Sequence, residues 1–258
     1  MSLLKNKKFL IILFIFLTTI LTVLWLSKRP SPLPVVKPKK TIDTLLVGDS
    51  SLKNSFGASF INQFSRTQNL RDEQIEIHSA YQATFLQWIN GISEPETKAH
   101  PIKLSELLKT TRARRIVFSL GTQDFLQSSK TDDKDENASR AVVNQIRTQL
   151  VNVLSVSPKI QCYWLGPVLN VSSELSLEKQ KRLYDELKYA VNSANCIYLD
   201  PRDVNPIDFS NLKKMTPAIC FAKKVKAPFY LDAKDSVLVT NRKSDLWGYC
   251  LAHDPKLN

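Results

Sequence analysis

"TIDTLLVGDSSLKNSFGASF", residues 41–60, runs from a buried apolar strand through a tight Gly-Asp-Ser turn into a helix. Only six glycines occur in the chain, and one of them, Gly48, stands where that strand hands a serine to the helix. Glycine there permits positive φ and close backbone approach. A serine at a helix start lies among N–H groups that have no intrahelical partner, at the positive end of the helix dipole. Ser50 so placed can attack an acyl carbon while those N–H groups hold the oxyanion. The same residues also read as plain capping by Asp49 or Ser50.

Outward from this stretch, further apolar runs of strand length follow at 75–78, 115–120, 160–166 and 196–200. Segments 82–92, 103–112, 138–154 and 176–194 place apolar residues three and four apart, as helices do. Continuous apolar strands alternating with helices predict a parallel sheet covered on both faces. After Asp200 the pattern is less regular, with an expected edge strand at 227–231 and a terminal helix around 242–253. In an open parallel sheet the ligand crevice lies beyond the carboxyl ends of the strands. The residues found there are Gly48-Asp49-Ser50-Ser51, His78 to Gln82, Gly121-Thr122-Gln123-Asp124 and Gly166-Pro167.

The formal charge of +12 would suit nucleic acid, but its distribution does not. Residues 1–40 hold eight basic residues and no acidic one, leaving only +4 for the rest, so no nucleic-acid partner is expected. Residues 1–8 form a basic tail. "FLIILFIFLTTILTVLWL", residues 9–26, lacks charge, glycine and proline, and as a helix would extend about 27 Å, the thickness of a bilayer core. The expectation is one N-terminal transmembrane helix that anchors the chain to membrane lipid. A cleaved signal peptide is the rival, but "LSKRPSP" has no small-x-small cleavage pattern. Residues 27–41, with four prolines, are expected to form an extended linker to a folded domain at 42–258.

Cys162, Cys196, Cys220 and Cys250 contain no C-x-x-C pair, so neither a metal site nor a cofactor is expected. Two disulfides in an exported domain and four buried thiols in a cytosolic one both fit, with Cys220–Cys250 the favoured pair if disulfides form.

In order, these blocks resemble the SGNH, or GDSL, hydrolases. "LLVGDSS" is similar to the first family block, and the resemblance assigns the nucleophile to Ser50. "SLGTQDF" is similar to the Gly-x-Asn-Asp block, which assigns an oxyanion-binding amide to Gln123, beside Gly121. "CYWLGP" and "CIYLDPRD" resemble the later strands. "ICFAKKVKAPFYLDAKDSVLVT", residues 219–240, resembles the closing segment of SGNH domains attached to membrane acyltransferases and assigns the triad acid to Asp232. The resemblance covers about 42–253 and implies a flavodoxin-like three-layer α/β/α fold. It further implies an envelope esterase or O-acyltransferase acting on acyl esters of carbohydrate, with an acylated polysaccharide or a membrane acyltransferase as partner. It places the domain on the outer, periplasmic side of the cytoplasmic membrane, with the N-terminus inside.

The departures bear on activity. Counting from Asp232, the family histidine falls on Asp235, and in an alternative register on Leu238. The block that supplies an oxyanion glycine reads "HSAYQATF", with Gln82 or a neighbour in its place. A carboxylate near pKa 4 is a poor base for a serine hydroxyl, and loss of one triad member commonly costs about 10⁴ in turnover. His78, at the end of the second strand, is the candidate for a recruited base, ahead of His253 and His100. The choice lies between a weakened or silent hydrolase-like protein, an active esterase with a recruited base, and a scaffold or glycan-binding subunit.

Overall fold

A computed structural model describes residues 16, 18–20, 40–92, 101–129, 136–167, 169–170, 175–203, 220, 230–231 and 237–257. The chain divides into two compact units, Met1–Pro38 and Lys39–Asn258. In the first, the described residues 16 and 18–20 are helical, and Phe16 and Ile20 are exposed. No helix among the described residues is long and apolar enough to cross a membrane, and most of the expected span 9–26 lies outside them.

The second unit is built on five parallel strands: β1 (Lys40–Gly48), β2 (Ile75–Ser79), β3 (Thr111–Ser119), β4 (Gln161–Leu165) and β6 (Ile197–Leu199), in the order β2-β1-β3-β4-β6. That order reverses direction between β1 and β3, the topological switch point at which open parallel sheets hold ligands. Alternation along the strands sends side chains to two separate cores. Leu45, Val47, Ile116, Phe118, Cys162 and Trp164 join one core, and Leu46, Val117 and Tyr163 the other. Helices cover both faces, so the three-layer α/β/α arrangement follows from the strand order and the two cores.

Six helices complete the alternation up to β6: α1 (Ser55–Thr67), α2 (Phe85–Asn90), α3 (Leu104–Thr110), α4 (Thr122–Ser129), α5 (Glu136–Leu154) and α6 (Leu177–Ser193). The last helix, α7 (Val237–Ala252), packs on α1, where the Phe56 and Trp247 rings stack at 3.7 Å. Phe56, Phe60 and Phe64 recur every four residues along α1, so one buried stripe serves both α7 and the sheet.

Three expectations change. β1 begins at Lys40, inside the expected linker, because Lys40, Thr41 and Ile42 pair with Thr111, Arg112 and Ala113 of β3 before the flanking strands β2 and β4 begin. The expected edge strand lies elsewhere: Tyr230–Leu231 (β7) pairs with Leu169–Asn170 (β5) in a separate two-stranded parallel sheet, and 227–229 lie outside the described residues. The helix α4 was not anticipated.

All four cysteines are paired. Cys162–Cys196 joins the start of β4 to the residue before β6, and Cys220–Cys250 ties an otherwise undescribed stretch to α7.

Candidate active site

The switch point assembles from three turns. The first follows β1, where Gly48 has no room for a side chain: a Cβ there would lie 2.6 Å from Leu52 Cδ1 and 2.9 Å from the Ser119 carbonyl. Close approach, rather than positive φ, is therefore what glycine supplies at this turn. Asp49 donates its N–H to the Ser119 carbonyl at 3.2 Å, which fixes the end of β1 to β3. Its carboxylate accepts from Ser51 N at 2.8 Å and so caps a short 3₁₀ turn, Ser50–Lys53. Ser51 Oγ lies 3.0 Å from Ser119 Oγ. The capping reading of the sequence is thus realised by Asp49, and it leaves the half-buried Ser50 unused. Among the described residues, none hydrogen-bonds the Ser50 hydroxyl or accepts its backbone N–H.

The second turn follows β2. Ala80 N donates to the Gly48 carbonyl at 3.2 Å, and Ala83 N closes a turn onto Ala80 O at 3.3 Å. Inside it Gln82 adopts φ +50°, the left-handed region that favours glycine. No acceptor among the described residues takes the Gln82 N–H, and the Gln82 side chain donates to Tyr81 Oη at 3.3 Å.

The third turn follows β3. Gly121 has φ +123°, a conformation that glycine adopts freely. It brings Gln123, partly exposed, and Asp124, 3% exposed, to the same edge. Asp124 accepts the Phe85 N–H on both oxygens, at 3.0 and 3.1 Å, and so clamps the start of α2 to the loop after β3. Burial pushes its carboxyl up to about 6, only partly opposed by the Phe85 N–H, and the neighbouring Asp49 charge adds to the rise. Asp49 is raised as well, by burial, with the Ser51 hydrogen bonds working against it. The clamp joins residues 39 apart in sequence, and no local pattern in the chain announces it.

Neither described histidine hydrogen-bonds Ser50. His78 Nε2 lies 2.8 Å from Glu76 Oε1 on the same strand, and His253 Nδ1 lies 2.8 Å from the Tyr249 carbonyl one helical turn back. Asp232, Asp235 and His100 lie outside the described residues. The structure therefore gathers Gly48, Asp49, Ser50, Gln82, Gly121 and Gln123 along one edge of the sheet. A cavity of about 750 Å³ lies at the opposite, amino-terminal ends of the strands, lined by residues such as Asp43, Arg112, Arg114 and Lys159, and is no part of this arrangement. No group of three or more metal-ligating side chains occurs among the described residues.

Chemically, the arrangement offers an unpartnered hydroxyl, two backbone N–H groups with no described acceptor and a side-chain amide at one strand-end edge. No protein-family model matches the chain, and no curated relative matches it. Among solved structures it is similar to a protein described as a GDSL-like lipase from Parabacteroides merdae, at 14% identity and TM-score 0.46, over 84% of this chain and 100% of that one. It is similar to a carbohydrate acetylesterase family member from Sinorhizobium meliloti, at 13% identity and TM-score 0.44, over 81% and 96%. It is also similar to an aryl esterase of M. smegmatis, at 11% identity and TM-score 0.46, over 83% and 99%. At these values the likeness decides nothing about activity, which has to come from the chain's own residues.

Proposed function

We propose that the chain is a membrane-anchored, exported protein of SGNH-hydrolase type, concerned with O-acyl esters of envelope carbohydrate, in which catalysis is weakened or lost. The observation that carries this reading is the Ser50 hydroxyl at the switch point: it has no described partner, and the backbone N–H groups of Ser50 and Gln82 have no described acceptor. In acyl transfer, Ser50 Oγ would form a bond to the acyl carbon while its proton passes to a base. The carbonyl oxygen would take up negative charge and receive hydrogen bonds from those N–H groups and the Gln123 amide. Collapse of that intermediate would break the bond to the sugar oxygen, which takes the proton back from the base and leaves as the alcohol, and an acyl-serine would remain for water or a second sugar hydroxyl. The missing part is the base: neither described histidine hydrogen-bonds Ser50, and His78, at the end of β2, is the candidate to be recruited. By the resemblance Asp232 is the triad acid, and Asp235 is the carboxylate that stands where the family histidine falls. The anchor at 9–26 and an acylated polysaccharide or membrane acyltransferase as partner belong to the same proposal.

Chemical rescue tests it. The full-length protein in detergent is expected to react slowly with a fluorophosphonate at Ser50, and to hydrolyse 4-nitrophenyl acetate about 10⁴-fold below a complete triad. Added imidazole, a diffusible base, should accelerate both reactions in the parent protein beyond the rate imidazole gives without protein, and neither beyond that rate in Ser50→Ala. Rapid Ser50-dependent turnover without imidazole would remove the weakened reading. Absence of labelling with and without imidazole would remove Ser50 as nucleophile.

A further inference from the structure

We propose that Tyr81 is a stacking platform for the sugar ring of the ester, placed beside Ser50 and selecting for the alcohol portion of the substrate. The inference rests on the carbohydrate-ester reading above and deepens it. Tyr81 is 80% exposed, the most exposed large side chain with apolar character among the described residues. Exposing an aromatic ring forfeits burial that would otherwise stabilise the fold. It is also held, not free. Gln82 Nε2 donates to its hydroxyl at 3.3 Å, which leaves the phenol proton available to donate outward.

The backbone beneath the ring is fixed at both ends to elements that form the strand-end edge. Upstream, Ala80 N is bonded to the Gly48 carbonyl, two residues before Ser50. Downstream, Thr84 caps α2 reciprocally with Gln87, at 3.1 and 2.8 Å, and Asp124 holds the Phe85 N–H. Between these anchors Gln82 keeps a left-handed φ that is unfavourable for a non-glycine residue. A solvated connection has no need of such restraint, whereas a binding surface set at a fixed distance from a nucleophile does.

The chemistry of the surface names its ligand. An acyl group as small as acetyl is consumed at Ser50 and the oxyanion donors, so a rim aromatic meets the alcohol side of the ester. A flat ring edged by a phenol hydroxyl and a carboxamide matches a pyranose, which offers a face of C–H bonds to the ring and equatorial hydroxyls to the polar edge.

The test measures binding apart from turnover. In full-length protein carrying Ser50→Ala, to stop consumption of the probe, binding of O-acetylated xylotetraose is measured by calorimetry. Adding Tyr81→Ala should weaken binding about tenfold or more, whereas Tyr81→Trp and Tyr81→Phe should stay within about threefold. Unchanged melting temperatures would show that the fold is intact, as expected for a side chain so exposed. Equal affinity in Tyr81→Ala would overturn the platform and leave the carbohydrate reading standing. No binding by the parent, with fluorophosphonate labelling of Ser50 retained in the unmutated protein, would overturn both the platform and the carbohydrate substrate while sparing the nucleophile.

Discussion

An aspartate follows directly on the first strand of the sheet and another on the last, and the two are treated in opposite ways. Asp200, after β6, is 1% exposed and receives Arg202 Nε at 2.8 Å, Arg202 Nη2 at 2.6 Å and Lys188 Nζ at 3.1 Å. Burial pushes its pKa up, but the Arg202 hydrogen bonds and charge outweigh it, and the carboxyl ends below its usual range. Asp49, after β1, is met by backbone and hydroxyl groups of Ser51 and by no described cation, and burial wins. A buried charge matched by cations serves the fold. Two raised carboxylates, Asp49 and Asp124, left without a cation beside an unpartnered serine make the first strand end electrostatically costly, as sites of chemistry often are.

Removing the matched carboxylate should have the largest effect. Asp200→Ala leaves Arg202, whose side chain is only 16% exposed, with the exposed Asp185 as its one described counter-charge beside the Lys181 carbonyl, and should lower unfolding free energy by about 3 kcal/mol in urea titrations. A loss below about 1 kcal/mol would show that Asp185 and solvent suffice and that the contrast is overdrawn. Next comes pH. Asp124 rises from 3.8 to about 6 on folding, so the native state binds the proton more readily between those values. Stability from this group is therefore present at low pH and lost as pH rises from about 4 to 6, by roughly 2–3 kcal/mol. Asp124→Asn can still accept the Phe85 N–H, and the difference between its pH–stability curve and that of the parent should display this slope; parallel curves would refute it. The smallest effect belongs to Asp49→Ala. Loss of its cap costs about 1 kcal/mol, while relief of a buried charge facing Asp124 works the other way. The net change should stay under about 1 kcal/mol, with the Asp124 titration displaced downward in carboxyl NMR.

The same contrast marks what could be read in the chain. Buried parallel strands are continuous apolar runs, so "TLLVG", "RIVFSL" and "CYWL" declared themselves. The extensions "KTI" and "TRAR" did not, because they form strands only by pairing with each other beyond their neighbours. Helix α4, "TQDFLQSS", is too short and too polar for its periodicity to stand out. At the site, residue types were legible: Gly-Asp-Ser at one strand end and Gly-Thr-Gln-Asp at another. Partnerships were not. That Asp124 would grip the start of α2 and that Gln82 would take a glycine's conformation are consequences of tertiary placement, which no local pattern encodes.

The covalent link between Cys220 and Cys250 turns residues 221–249 into a closed ring, and Asp232 and Asp235 belong to it. A ring cannot stray far from its clasp. While that bond is intact, residue 220 is fixed to α7, and the stretch between can be displaced only as a loop held at both ends. In a thiol-rich compartment the ring would open and residue 220 would lose its covalent tie to the helix.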